Sequence, residues 1–190
     1  MERVLIASSG EKATSVIVGL VKETYPNCQQ AVVNTGSETR RSIAQNDYDA
    51  VLINSPLSDE YGHELAEHIT QSTLSGCIMI VKAENSDEVS HSLEDYGVAV
   101  ISKPINKKAF YDCLHLVNAS RKRMLGLQKE NIKLHKRFEE LRTINRAKFA
   151  LMQYLNFTET QAHRYLEKQA MDMRCTKLEV AKEVIKTYEP

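Results

Sequence analysis

The sequence of 190 residues is long enough for one domain of ordinary size and a smaller second one. Its 42% hydrophobic and 26% charged residues are those of a folded soluble protein and exclude a disordered or fibrous chain. The net charge of zero conceals two opposite halves. Residues 1–114 carry nine Lys and Arg against sixteen Asp and Glu, whereas residues 115–190 carry sixteen against nine, so a polyanionic partner is expected for the second half only.

The sequence also disfavours a membrane protein and a disulfide-rich secreted protein. No apolar run approaches the roughly 20 residues of a membrane span, and the first residues resemble a strand rather than a signal peptide. We therefore expect a cytoplasmic protein without membrane contact. The four cysteines are separated and form no Cys-x-x-Cys pair, which favours buried free thiols over a zinc site or a disulfide scaffold.

The first 110 residues alternate short apolar runs with segments of helical length, as a doubly wound parallel sheet requires. The fourth run is apolar on both faces, which is typical of a strand covered by helices on both sides. A five-stranded, flavodoxin-like α/β sheet is predicted. The predicted strands are Arg3–Ala7, Gln29–Val33, Ala50–Asn54, Cys77–Lys82 and Val98–Ser102.

One long helix is predicted from Asn106 to about Leu155, because this stretch contains no proline and only one glycine, Gly126. Apolar residues at alternating spacings of three and four form a heptad seam, which favours a coiled-coil homodimer. Asn131 falls at an a position, where a polar amide favours an in-register pair. The alternative is a helix packed only on its own domain. The predicted seam consists of Met124, Leu127, Asn131, Leu134, Phe138 and Leu141.

Two shorter helices are predicted after Asn156, because each has a capping box at its start. The boxes run from Thr158 to Gln161 and from Thr176 to Glu179. Together with the end of the long helix they predict an all-α three-helix bundle. The predicted division of the chain is 1–110 for the α/β domain, 111–141 for the dimerisation helix and 142–190 for the helical bundle.

The first 110 residues resemble the receiver domains of two-component response regulators in the order of their elements. That family places an acidic pair after the first strand, a phosphoryl-accepting Asp at the end of the third, a Thr or Ser after the fourth and a Lys after the fifth. The spacing to Gly62, eight residues after the acceptor position, also fits the pattern. At the five chemical positions this sequence has Ser8, Ser9, Asn54, Lys82 and Lys103, so only the last is retained.

These departures predict a pseudo-receiver that cannot be phosphorylated at Asn54. Magnesium is held by carboxylates, and an amide is not the carboxylate nucleophile that forms an acyl phosphate. Lys82 and Lys103 leave a weakly anion-attracting pocket, although a structural relic whose lysines point to water is the favoured interpretation. The domain is expected to serve protein contacts, with a regulatory protein as one possible partner.

The last 50 residues resemble the ANTAR domain, the output module of bacterial transcription antiterminators. The resemblance implies binding to paired hairpins of a nascent leader transcript, which prevents a terminator stem from forming. Receiver, coil and ANTAR domain in one chain is also the usual architecture of that family. The matching residues are Leu141, Ile144, Ala147, Lys148, Leu151, Met152, Phe157, Thr158, Glu159, Ala162, Leu166, Ala170, Met171, Arg174, Val180 and Ala181.

RNA loops present phosphates and unstacked bases, so cationic side chains in this segment are candidate contacts. Lys148 and Arg174 are the strongest candidates because both belong to the family's pattern. Tyr165 is expected in the core, and the cluster 121–123 is expected to be a solvated face. The candidate RNA-binding residues are Arg146, Lys148, Arg164, Lys168, Arg174 and Lys177.

No enzyme, metal site or cofactor is predicted. His63 and His68 point about 140° apart on a helix, and the sequence has no phosphate-cradling glycine loop or nucleophile elbow. Two alternatives to RNA binding remain open. One is a DNA-binding transcription regulator, because a basic three-helix bundle can enter a major groove. The other is a protein-interaction adaptor whose basic face meets an acidic partner.

Overall fold

A computed structural model describes residues 1–188, and the chain divides into two compact units, Met1–Gly126 and a second that begins at Leu127. The first unit alternates strands and helices, and its last helix continues into the second unit. Its elements are β1 Arg3–Ser8, α1 Glu11–Thr24, β2 Gln29–Val33, α2 Gly36–Gln45, β3 Ala50–Asn54, α3 His63–Ser72, β4 Gly76–Lys82, α4 Ser86–Ser92, β5 Ala99–Lys103 and the start of α5 Lys107–Leu155.

The five strands form one parallel sheet in the order β2-β1-β3-β4-β5. The predicted flavodoxin-like fold is therefore confirmed, and each predicted strand boundary lies within one residue of the observed one. The central strand β3 is buried along its whole length, as expected of a parallel strand with helices on both faces.

Alternation along the strands divides the core of the first unit into two layers. Val4 and Ile6 of β1 face the layer that contains α1 and the beginning of α5. Leu5 and Ala7 face the opposite layer, which includes α3 and α4. A period of two residues in each strand thus directs successive side chains to opposite helical layers. Phe110 of α5 is completely buried and is the largest such side chain.

The second unit contains the end of α5 together with α6 Glu159–Asp172 and α7 Lys177–Tyr188. Both predicted capping boxes are present: Thr158 and Gln161 bond reciprocally at the start of α6, and Thr176 and Glu179 do so at the start of α7. The three helices enclose a small core made of Ala147, Ala150, Leu151, Ala162, Leu166, Ala170, Val180, Ala181 and Val184.

Tyr165 is half-buried against this core and meets Phe157 edge to face, with ring centroids 5.9 Å apart, as predicted for a core tyrosine. Within residues 1–188, no helix combines the length and the apolar character needed to cross a membrane.

Candidate functional site

The receiver-like pocket lies at the carboxyl ends of β1 and β3, where Ser8 and Asn54 are paired in register. Asn54 Nδ2 donates a hydrogen bond of 2.9 Å to Ser8 Oγ, and Thr14 Oγ1 lies 2.7 Å from the same oxygen. Ser8 and Asn54 are both buried. A chain of uncharged hydrogen-bonded groups thus lies where the receiver pattern has carboxylates.

The remaining oxygen of the Asn54 amide, Oδ1, is buried and has no hydrogen-bond partner. Among residues 1–188, no group of three or more His, Cys, Asp or Glu side chains is arranged to hold a metal ion. Gly62, which precedes α3, has a φ of 98°, and a Cβ there would lie 2.8 Å from Ile53 Cγ2. Glycine at this position is explained by the backbone and the close approach of β3, not by catalysis.

Lys103 does not point to water, contrary to the favoured interpretation from the sequence. Its Nζ donates a hydrogen bond of 2.6 Å to the backbone carbonyl of Ser55, the residue after Asn54. The side chain is half-buried, and burial, with a smaller contribution from the nearby charge of Lys82, lowers the pKa of Lys103. The Ser55 carbonyl accepts a hydrogen bond that the Lys103 ammonium could otherwise donate to a phosphoryl group or an acceptor carboxylate.

The two other predicted pocket residues lie apart from this hydrogen-bonded centre. Ser9 Oγ donates to the carbonyl of Pro56 at 3.2 Å. Lys82 is exposed and pairs with Glu84 at 3.4 Å, a surface ion pair of little energetic value. Ser8 and Asn54 are thus bonded to each other, Lys103 is bonded to the residue after Asn54, and Lys82 pairs in register with Lys103 on the neighbouring strand.

The expectation that residues 121–123 form a solvated face is wrong for Arg121. Its Nη1 lies 2.6 Å from Asp49 Oδ1, and the two side chains are only 17% and 16% exposed. Asp49 also accepts backbone N–H groups from Glu2 and Arg3. Burial opposes ionisation of Asp49, but these two hydrogen bonds and the Arg121 charge outweigh it and lower its pKa.

The apolar positions of the predicted heptad seam are exposed along α5. Leu134 and Phe138 are each 65% exposed, and the other apolar members, Met124, Leu127 and Leu141, are about half exposed. Large apolar side chains that recur on one face of a helix are the usual mark of a contact surface. The seam thus remains a predicted dimer interface, with Asn131 exposed within it.

Lys148 and Lys177, which are among the candidate RNA contacts, each form an ion pair between helices. Lys148 Nζ lies 2.7 Å from Glu159 Oε1 and Lys177 Nζ lies 2.8 Å from Glu167 Oε1. The hydrogen bond and charge of each lysine lower the pKa of its partner carboxyl. Because the Lys148 side chain is only 16% exposed, it is a packed structural residue as well as a cation.

Arg174 has an additional structural role at the end of α6. Its φ is 51°, in the left-handed region, and its N–H donates to the carbonyl of Met171 while Cys175 N–H donates to Ala170. These two bonds form a Schellman motif, in which the left-handed residue is usually glycine. The side chain of Arg174 is exposed, as are those of Arg164 and Lys168, and none of the three forms an ion pair within residues 1–188.

One basic surface was not predicted from the sequence. A groove between α5 and α7 is lined by Glu139, Arg142, Thr143, Arg146, Lys182 and Ile185. Arg142 and Arg146 are four residues apart and therefore lie on the same face of α5. This spacing could have been recognised in the sequence. Lys182 enters from a different helix, about 40 residues along the chain, so its approach depends on the fold of the bundle.

The second unit matches the family model of the ANTAR domain over residues 133–185. This interval contains the end of α5 together with α6 and almost all of α7. It also contains all six candidate RNA contacts and the groove residues.

Two curated relatives extend the similarity beyond this domain. The transcriptional regulatory protein PdtaR of Mycobacterium tuberculosis is 23% identical over 139 residues, which cover 73% of this chain and 68% of that protein. The aliphatic amidase regulator of Pseudomonas aeruginosa is 28% identical over 127 residues, covering 67% of this chain and 63% of that protein. The chain thus spans about two thirds of the length of these relatives.

The first unit has the fold of solved receiver domains. A CheY-like response regulator receiver protein of Methanospirillum hungatei matches with a TM-score of 0.58 at 19% identity, over 65% of this chain and 98% of that one. The chain thus combines a unit that has the receiver fold with a segment, residues 133–185, that matches the ANTAR domain.

Proposed function

We propose that this protein binds hairpins of a nascent leader transcript and prevents formation of a terminator stem, as a binding protein and not an enzyme, in the cytoplasm. The observation that carries the proposal is the match of residues 133–185 to the ANTAR domain. The distribution of charge supports it, because the cationic excess of the chain falls after residue 115. Hairpin RNA is a polyanion, and cations on a small helical unit are what its recognition requires.

Two copies of the chain would act together through the seam of α5. The exposed positions from Met124 to Leu141 supply the apolar contacts, and Asn131 would align the two helices in register. A dimer presents two ANTAR domains, which matches the paired hairpins expected of the target. Because the three-helix core is small, association would also add stability to each bundle.

The first unit would act as a pseudo-receiver whose input is not phosphorylation of Asn54. The hydrogen bond from Asn54 to Ser8 and the hydrogen bond from Lys103 to the Ser55 carbonyl stabilise a pocket that has no carboxylate at these positions. Activity would then be set by a protein that contacts this domain or by constitutive dimerisation. Incubation with Mg²⁺ and a small phosphoryl donor should leave the intact mass of the protein unchanged. An increase by one phosphoryl group, located on an Asp or Ser side chain of this unit, would contradict the proposal.

The test of function compares binding to tandem-hairpin RNA and to duplex DNA of equal length across a series of salt concentrations. Preference for RNA, with an affinity that falls steeply as salt rises, would support the proposal. Preference for duplex DNA would instead identify a DNA-binding regulator. Binding to neither would favour a protein-interaction adaptor. A single-round transcription assay on a terminator template then measures whether the protein increases readthrough.

A further inference from the structure

Near its end, α5 carries a large aromatic side chain that the core of the second unit leaves uncovered. Phe149 is 66% exposed, whereas Ala147 and Leu151 are completely buried in that core. Each of these two residues is two positions from Phe149, which is a rotation of about 200° around an α-helix. Phe149 therefore points away from the three-helix bundle.

Phe149 belongs to a continuous face of α5 that combines aromatic, amide and cationic groups. Residues three and four positions apart lie on the same side of a helix, and such spacings connect Phe138 to Phe149. A contiguous exposed apolar face of this kind is typical of a binding surface. This aromatic face consists of Phe138, Leu141, Arg142, Asn145, Arg146 and Phe149, and these six residues include no carboxylate.

Arg142 gives the aromatic face an accessible positive charge. Its Nη1 atom lies 3.7 Å from Glu139 Oε1, and the two side chains are 74% and 63% exposed. Water screens an ion pair at this distance and exposure, so the pair is worth little and an anion can replace it.

A second copy of the chain does not fit the end of this face. The apolar seam stops at Leu141, because the next seam position is the amide Asn145 and the one after it is Lys148, which is only 16% exposed and paired within its own bundle. A two-fold dimer brings the same surface of both copies together. Extension of the seam to Phe149 would therefore oppose the two arginines of the face to those of the partner, with no carboxylate in the lining to offset them.

An unpaired nucleotide matches all three kinds of group. The π face of a base stacks on an aromatic ring, an amide offers a donor and an acceptor to the base edge, and a guanidinium contacts the phosphate. A carboxylate or inorganic phosphate would use only the arginine and leave the ring exposed. A base inside a stem is already stacked between its neighbours, so the matching nucleotide is one in a loop.

We propose that Phe149 is a stacking platform for an unpaired loop base of the hairpin RNA, with Asn145 at the base edge and Arg142 at the adjoining phosphate. The inference rests on the proposed function and adds three contacts to the six cations predicted from the sequence. It requires no contact from Arg146, which already has an interaction within the chain.

The test measures the affinity of the full chain for tandem-hairpin RNA in three variants at one position. Phe149→Ala should lower the affinity by about fivefold or more, as loss of one base–aromatic stack implies. Phe149→Leu should lower it as much, because leucine is apolar but has no π face, whereas Phe149→Trp should bind at least as tightly as wild type. The matched control is Tyr61→Ala, a 70% exposed aromatic of the first unit, which should change affinity by less than about twofold.

The dependence on salt separates stacking from charge. The Phe149 variants should retain the slope of log affinity against log salt, since they remove no phosphate contact. Arg142→Gln should make that slope shallower by about 1.

An RNA with abasic loop nucleotides gives a result that misfolding cannot imitate. This RNA keeps the loop phosphates and lacks the bases, so wild-type protein should bind it more weakly than the intact hairpins. Phe149→Ala should then cause no further loss, because two changes that remove the same contact are not additive. A misfolded variant would instead lose affinity for both RNAs alike.

Each contrary outcome has a separate meaning. If wild-type protein binds the hairpins and Phe149→Ala or Phe149→Leu binds equally well, the stacking platform is overturned and the proposed function stands. If Phe149→Ala sediments as a monomer without RNA where wild type sediments as a dimer, the face belongs to a second copy and the platform is likewise overturned. If wild-type protein does not bind hairpin RNA, both proposals fail together.

Discussion

Replacing Arg121 should destabilise the first unit by about 2–3 kcal/mol. This is a large effect, because the neighbouring residues of α5, Lys122 and Arg123, are exposed. Arg121 and Asp49 are each about five-sixths buried, and breaking a fully buried ion pair costs about 3–5 kcal/mol. We take a smaller value because Asp49 keeps two backbone hydrogen-bond donors, Glu2 and Arg3, when the guanidinium is gone. Arg121→Met retains the apolar stem of the side chain and removes the charge.

The assay is hydrogen exchange of the β1 and β3 amides, which reports the stability of the first unit without contribution from the second. Lys122→Met, at the exposed neighbouring position, is the control and should cost less than about 0.5 kcal/mol. In the double variant Asp49→Asn/Arg121→Met, the total loss should be smaller than the sum of the single losses by about 1–2 kcal/mol, because each single change strands a partner. Equal losses for Arg121→Met and Lys122→Met, or strict additivity, would refute the reasoning.

The pH dependence follows from the sign of the Asp49 shift. The pKa of Asp49 is lowered in the folded chain, so its ionised form contributes stability above the unfolded pKa of about 3.9. That contribution is lost as the pH falls through the lower folded pKa. The difference in stability between wild type and Asp49→Asn should therefore be constant near neutral pH and shrink in strong acid.

Three further outcomes are expected. Burial raises the pKa of Cys77 to about 12 and that of Cys113 to about 11, so at pH 8 both thiols should react with iodoacetamide far more slowly than in urea; rapid labelling of native protein would contradict this. The free energy of unfolding of the second unit should be higher by about 0.5–1 kcal/mol for Arg174→Gly than for Arg174→Ala, because glycine alone adopts the left-handed φ without strain. If the proposed seam pairs two chains, wild-type protein should sediment as a dimer and Leu134→Glu as a monomer in sedimentation velocity; a variant that still sediments as a dimer would exclude the seam.

The parts of the fold that were predicted correctly depend on signals local in sequence. The strands follow from short β-branched runs, and the starts of α6 and α7 from Thr158 and Thr176 with their partners three residues on. These signals need no knowledge of which segments meet. Local patterns therefore recovered the strands and helices and nearly all of their boundaries.

The parts that were missed depend on contacts between distant segments. Arg121 lies 72 positions from Asp49, and nothing in the sequence distinguishes it from its exposed neighbours Lys122 and Arg123. Lys148 was recognised as a cation, but its pairing with Glu159 depends on how α6 packs against α5. The left-handed backbone of Arg174 could likewise not be predicted from the sequence, because the residue that usually marks that conformation is glycine.

The helix α5 belongs to two hydrophobic cores at once, and this affects how the gene can be divided. Leu114 and Val117 complete the core of the sheet domain, whereas Ala147 and Leu151 belong to the core of the ANTAR domain. A fragment cut where the strands and loops end, near residue 110, would remove Leu114 and Val117 from the core of the sheet domain. Exchange of modules between this chain and others with the same two domains is therefore expected to succeed when the junction lies in the exposed middle of α5. It is expected to fail when the junction lies directly after the last strand.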